Sequence, residues 1–147
     1  MHKIRRFLSW RPSDRWVFIK TYFTLIGVNL LLEFVPFFHL RKLIATQSRK
    51  NIKAKSDPLV VHRIVEAIEI ASRFTPRKST CLVKALTGYY LLTKNNIPVE
   101  MCVGVKLGLP GQLDAHAWIV NQGEVILGDL DNLPEYTKLS SPSMKVI

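Results

Sequence analysis

Across Asn95-Asn96-Ile97-Pro98 the hydrophobic pattern of this chain changes its period. Upstream, apolar residues recur at helical spacing: Val61, Ile64, Val65, Ile68 and Ala71 in one segment, Leu82, Ala85, Leu86, Tyr89 and Leu92 in the next. Downstream, Val99, Met101, Val103 and Val105 alternate with Glu100, Cys102, Gly104 and Lys106. A period near 3.6 builds one face of a helix, and a period of two builds one face of a strand. Helices first and strands afterwards predict an α+β domain.

The helix boundaries carry their own chemistry. Asp57 is placed to cap the first of these two helices, Pro58 suits its first position, and Pro76 closes the segment. Ser79 or Thr80 caps the second, which puts Cys81 in its first turn. Gly108 to Gln112 reads as a loop, and strand patterning resumes from Ala115. There is no internal repeat and no low-complexity stretch.

A chain of 147 residues fits one domain, and 48% hydrophobic with 22% charged residues fits a packed chain, not a disordered one. Two cysteines, Cys81 and Cys102, make no disulfide framework, so a reducing cytoplasm is the expected compartment. The basic start is not followed by a short apolar core and a small-residue cleavage site, so a secretory signal is not expected.

Charge divides the chain in two. Residues 1–55 hold 12 Lys and Arg against 2 acidic residues, while residues 56–147 hold 9 of each. The entire net charge of +10 therefore lies in a basic N-terminal segment, ahead of a neutral core over 56–147. Such a segment attracts an acidic partner, anionic lipid or nucleic acid, or is simply a solvated helical face. Within it, Trp16 to Phe38 is almost continuously apolar, interrupted by Lys20, Asn29, Glu33 and Pro36. Lys20 and Asn29 fall on opposite sides of a helix, so there is no clean stripe. The run is marginal against the roughly 20 apolar residues of a membrane span. The favoured reading is a helix buried against the domain or a partner. Peripheral membrane contact comes second and a true span third. Pro36 ends or kinks the helix, Phe37 to Ile44 forms another short one, and Thr46 to Ser56 is a linker.

The stretch AHAWIVNQGEVILGD (115–129) reads as a hairpin about Gln122-Gly123. A two-residue loop pairs Asn121 with Glu124, Val120 with Val125, Ile119 with Ile126, Trp118 with Leu127, and finally His116 with Asp129. Alternation then sets His116, Trp118, Val120, Val125, Leu127 and Asp129 on one face. Directly opposed residues have Cβ atoms about 4.5–5.5 Å apart, and an aspartate there accepts a proton from the imidazole and sets its tautomer. Gln-Gly is a weaker type I′ signal than Asn-Gly, and a slip of one residue would separate the pair.

A histidine so oriented is a general base in need of a nucleophile, and Cys81 is the candidate. The start of a helix favours a thiolate through its unsatisfied N–H groups and dipole, and Arg77, Lys78 and Lys84 add positive charge. The same N–H groups can hold the oxyanion of an acyl-transfer intermediate. The plainer alternatives stay open: a lone cysteine as a small buried hydrophobe, and a lone strand histidine as a structural one. Cys102, mid-strand with no basic neighbour closer than Lys106, reads as that kind of cysteine.

The set CLVKAL (81–86), IPVEMCVGV (97–105), AHAWIV (115–120) and ILGD (126–129) resembles the leader-peptidase half of the B proteins of lasso-peptide biosynthesis, which are transglutaminase-like cysteine peptidases. The resemblance covers about residues 58–130. It implies a papain/transglutaminase-like core, with the nucleophile at a helix N-terminus packed on an antiparallel sheet. Cys81 would be the nucleophile, His116 the base and Asp129 the orienting acid, with no metal or cofactor. Lys84 stands where many members carry arginine. The implied substrate is a ribosomally made precursor with an N-terminal leader and a C-terminal core. The leader would be removed so that an ATP-dependent cyclase can join the freed core amine to an acidic side chain. The chain starts directly with its basic helical segment, which resembles the split form that works with a separate leader-recognition protein. Residues 1–55 are then expected to dock that protein or its leader, and not nucleic acid. Two other classes compete: a transglutaminase-like amidase or acyltransferase on another substrate, and a non-enzymatic basic module binding membrane or nucleic acid.

Overall fold

Among the described residues, prolines open two of the three α-helices and a hydroxyl opens the third. A computed structural model of the chain describes residues 11–36, 39, 42, 57–76 and 80–139. Helix α1 runs Pro12–Phe34, with Pro12 at its start, where a missing N–H costs nothing. It stops because Pro36 requires an extended residue before it, and Val35 has φ −120 and ψ 126. Helix α2, Pro58–Ala71, is capped as expected, with the Asp57 carboxylate accepting from Leu59 N at 2.9 Å. Helix α3, Cys81–Lys94, is capped by Thr80, whose Oγ1 accepts from Val83 N at 3.3 Å. It closes through Asn96, left-handed at φ 60, so that Ile97 N reaches back to Leu92 O at 2.9 Å. The short helix expected over Phe37 to Ile44 and the linker over Thr46 to Ser56 lie largely or wholly outside the described residues.

The four strands form one antiparallel sheet in the order β3-β2-β1-β4. They are β1 Glu100–Leu107, β2 Leu113–Asn121, β3 Glu124–Leu127 and β4 Thr137–Lys138. The β1–β2 ladder runs unbroken from Glu100↔Val120 to Leu107↔Leu113. With the helices preceding the strands, the architecture is α+β, as the change of period predicts.

The sheet has two differently covered faces. On one, Met101, Ala117, Ile119 and Leu127 meet Ile68, Leu86, Leu92 and Leu25, so all three helices share a single core with the sheet. On the other, Cys102, Trp118 and Tyr136 form a smaller cluster under the segment that leads into β4. Helix α1 belongs to the first core through Leu25 and Val28. Burying one leucine is worth about 1.5–3 kcal/mol. The half-exposed Arg63–Asp14 pair that also links α1 to α2, at 3.3 Å, is worth about 0–1 kcal/mol. Apolar burial, not charge, holds α1 in place.

The hairpin departs from its expected register. The turn is the anticipated type I′, with Gln122 at φ 51 and Gly123 at φ 85. Asn121↔Glu124 and Val120↔Val125 pair as expected, but Ile119 then faces Leu127, not Ile126. A bulge between Ile119 and Val120 shifts the ladder by one. Leu127 thereby moves from the expected Trp118 face to the helix-covered face. The reason lies in α3: a Cβ on Gly88 would stand 2.8 Å from Leu127 Cδ2, so the bare glycine is the seat that Leu127 occupies. Ile68 Cδ1 and Ile119 Cγ1, at 3.5 and 3.7 Å from the same point, complete the wall that an added Cβ would meet. Gly88→Ala is therefore expected to lose about 1–3 kcal/mol of stability. Urea unfolding would show it as a lower midpoint at unchanged slope. A variant as stable as the wild type would mean that Leu127 has space to yield.

Candidate active site

Cys81 is the first residue of α3, and its side chain is partly exposed. Its Sγ lies 4.0 Å from the carbonyl oxygen of Ala115, one residue before His116 on β2. The thiol therefore addresses the strand that carries the imidazole, through that strand's backbone and not through the ring itself. Lys84, on the next turn, makes its ion pair with Glu69 of α2 at 3.2 Å, tying two helices together. Arg77 and Lys78, also expected to add positive charge here, lie outside the described residues.

His116 sits opposite Gly104 in the β1–β2 ladder. Its ring is flanked by Trp118, with centroids 6.0 Å apart and planes at 16°, and by Tyr136 at 5.7 Å. Its Nε2 lies 2.6 Å from the carbonyl oxygen of Gly128. A carbonyl only accepts, so Nε2 must carry the proton, and in the neutral ring Nδ1 is left with the lone pair. The tautomer assigned by this contact is the one a base acting through Nδ1 requires.

Asp129, the expected partner, lies just beyond β3 and is exposed. The expected cross-strand pairing of His116 with Asp129 does not extend that far, because the bulge has already shifted the register and β3 ends at Leu127. The contact to the imidazole comes from the residue before, through its backbone. Gly128 is suited to that place: its φ is +80, and a Cβ on it would stand 2.8 Å from Ala117 O.

Two further residues border the site. Tyr136 Oη donates to the Asp114 carboxylate at 2.7 Å. This bond, with burial and the acidic neighbours, pushes the phenol from 10.0 up to about 12, and Cys81 is among the groups it senses. A raised value means that the bond's contribution is intact below the ordinary phenol range and is lost as pH climbs through about 12. Asp114 was within reach of sequence reasoning, since it precedes His116 by two on a strand and so shares its face. Tyr136 was not, because it follows an unpatterned stretch.

Cys102 behaves as its strand position predicts. It is 5% exposed, packs with Trp118 and Tyr136, and burial first, then the Glu100 carboxylate, pushes its thiol up. At neutral pH iodoacetamide is thus expected to label Cys81 well before Cys102, as read by peptide mass spectrometry. Equal labelling of both in the folded protein would remove the distinction between them.

Among the described residues there is no group of three or more histidine, cysteine, aspartate or glutamate side chains able to hold a metal ion.

Helices followed by an antiparallel sheet of this kind form a fold typical of cysteine peptidases and transglutaminases. A family model of the transglutaminase-like superfamily matches residues 23–141, and the chain belongs to that superfamily. The match begins inside α1, in keeping with that helix's place in the core. No curated protein and no solved structure matches the chain.

Proposed function

We propose that this protein is a cysteine peptidase that removes the leader from a ribosomally made precursor of the lasso-peptide kind. Cys81 would be the nucleophile, His116 the base and Asp129 an acidic neighbour of the imidazole's anchor. The observation that carries the reading is the placing of two groups on adjoining elements: a thiol at a capped helix start, 4.0 Å from the residue preceding His116, and an imidazole whose Nε2 is anchored at 2.6 Å.

The reaction follows from those groups. The Cys81 thiolate attacks the carbonyl carbon of the last leader residue. The resulting oxyanion takes hydrogen bonds from backbone N–H groups at the start of α3, Cys81's own among them. Protonated His116 gives its proton to the departing amine of the first core residue, the C–N bond breaks, and a thioester remains. His116, again neutral, takes a proton from water as the water attacks. The thioester opens to the leader carboxylate and the free thiol. The core leaves with a free amine, ready for acylation by an ATP-dependent cyclase. A separate leader-recognition protein would deliver the precursor and raise its effective concentration. The test is mass spectrometry of a precursor incubated with purified protein, with and without such a partner. Cleavage at one bond, at the leader–core junction, is the expected outcome. Acyl transfer to an added amine without hydrolysis would favour a transglutaminase-like acyltransferase instead.

A further inference from the structure

Helix α1 buries Thr21, Leu25 and Val28 on one side, yet its opposite side is not polar. Trp16 is 59% exposed, Ile19 42%, Phe23 67%, Leu30 50%, Leu31 45% and Phe34 82%. At 3.6 residues per turn these six fall within an arc of about 120° and run about 27 Å along the helix. Lys20, whose Nζ lies 5.5 Å from the Trp16 ring, is the one charged helix residue within the arc, and Arg15 and Glu33 fall together just outside it. A helix apolar on both sides needs cover on both, and the described residues cover only one.

The charge around the ridge indicates what covers the other. Residues 1–11 hold four Lys and Arg with no acidic residue, and residues 35–55 hold six with none. Within the helix, Asp14 pairs with Arg63. An apolar ridge with aromatic residues at both ends, bracketed by basic runs, is complementary to an anionic bilayer surface. Helix α1 is long and apolar enough to cross a membrane. Its inner side, however, is packed into the domain core, so it meets the bilayer lying flat. We propose that the outer face of α1 docks this protein on an anionic lipid surface, with Trp16, Phe23 and Phe34 inserted at the headgroup boundary. This does not depend on the peptidase reading.

The experiment is co-sedimentation of the full chain with vesicles of equal parts phosphatidylglycerol and phosphatidylcholine, and with vesicles of phosphatidylcholine alone. Partition should be at least about tenfold stronger into the anionic vesicles and should weaken with salt. W16S/F23S/F34S should reduce it about tenfold or more while far-UV circular dichroism and the melting curve stay unchanged. In a second arm needing no polar substitution, acyl-brominated lipid should quench tryptophan emission, and W16F should bind normally but be quenched less. Undiminished binding by the triple variant would reduce the attraction to charge alone and overturn the proposal. So would failure of the wild type to sediment, or a dimer dissolved by the triple substitution, which would make a second copy the occupant. Binding of a leader-recognition protein that the same substitution abolishes, without any lipid binding, would assign the face to that protein.

Discussion

On the proposed peptidase reading, Cys81→Ala protein mixed with a leader-bearing precursor is expected to leave the leader attached, with a rate loss of about 10⁴-fold or more. His116→Ala should lose about 10²–10⁴-fold, the usual contribution of a positioned proton carrier. Both variants should melt close to the wild type, because both side chains are only partly buried and neither belongs to a core cluster. The pair is informative together. A thiol without a base still reacts slowly, while a base without a thiol has nothing to activate. Leader cleavage at the wild-type rate by Cys81→Ala would dispose of the covalent route, whatever His116 does.

The second large effect is expected at a residue with no side chain. Gly128→Ala places a methyl group 2.8 Å from Ala117 O, at a φ of +80 that alanine adopts only under strain. The strain alone costs about 1–3 kcal/mol, and relieving it must displace the carbonyl that anchors His116 Nε2. A misplacement of about 1 Å at such a group costs up to about 10²-fold in rate. Asp129→Asn should do far less, under about tenfold, because the anchoring carbonyl survives the substitution and still fixes the tautomer. Comparing kcat for the two variants under conditions where both are folded decides the matter. If Asp129→Asn falls as far as His116→Ala while Gly128→Ala stays active, the carboxylate is the true orienting group and the carbonyl contact is incidental.

Much of this fold was legible in the sequence because its signals are local. Asp57, Pro58 and Thr80 announce helix starts by their own hydrogen-bonding chemistry, and Asn95 to Pro98 marks the change from helix to strand. Gln122-Gly123 gave the turn type despite its weaker signal, since only the two residues of the loop decide it. The register beyond Ile119 was not legible. It depends on Gly88, some thirty residues upstream, which offers a seat only Leu127 fills, and no pattern within β3 encodes that. The same gap hid the imidazole's neighbour: alternation pointed to Asp129, and the bulge brought Gly128 O instead. Cys81 and His116 were both singled out by type and position. Tyr136 escaped because its contacts, to Asp114 and to the His116 ring, come from a stretch with no period to read. The outer face of α1 was half seen. Its broken amphipathicity was plain, but which side the domain leaves bare is a property of the packing.

The sheet's borders also bear on how the protein behaves at high concentration. Its two outer strands are β3, with four residues, and β4, with two. Outer strands this short, each pairing with only two or three residues of its longer neighbour, break the border into short stretches, which is one way natural sheets limit fibrous growth. Aggregation of this protein, when it occurs, should therefore be amorphous and reversible by mild detergent, without the cross-strand stacking that dye binding reports.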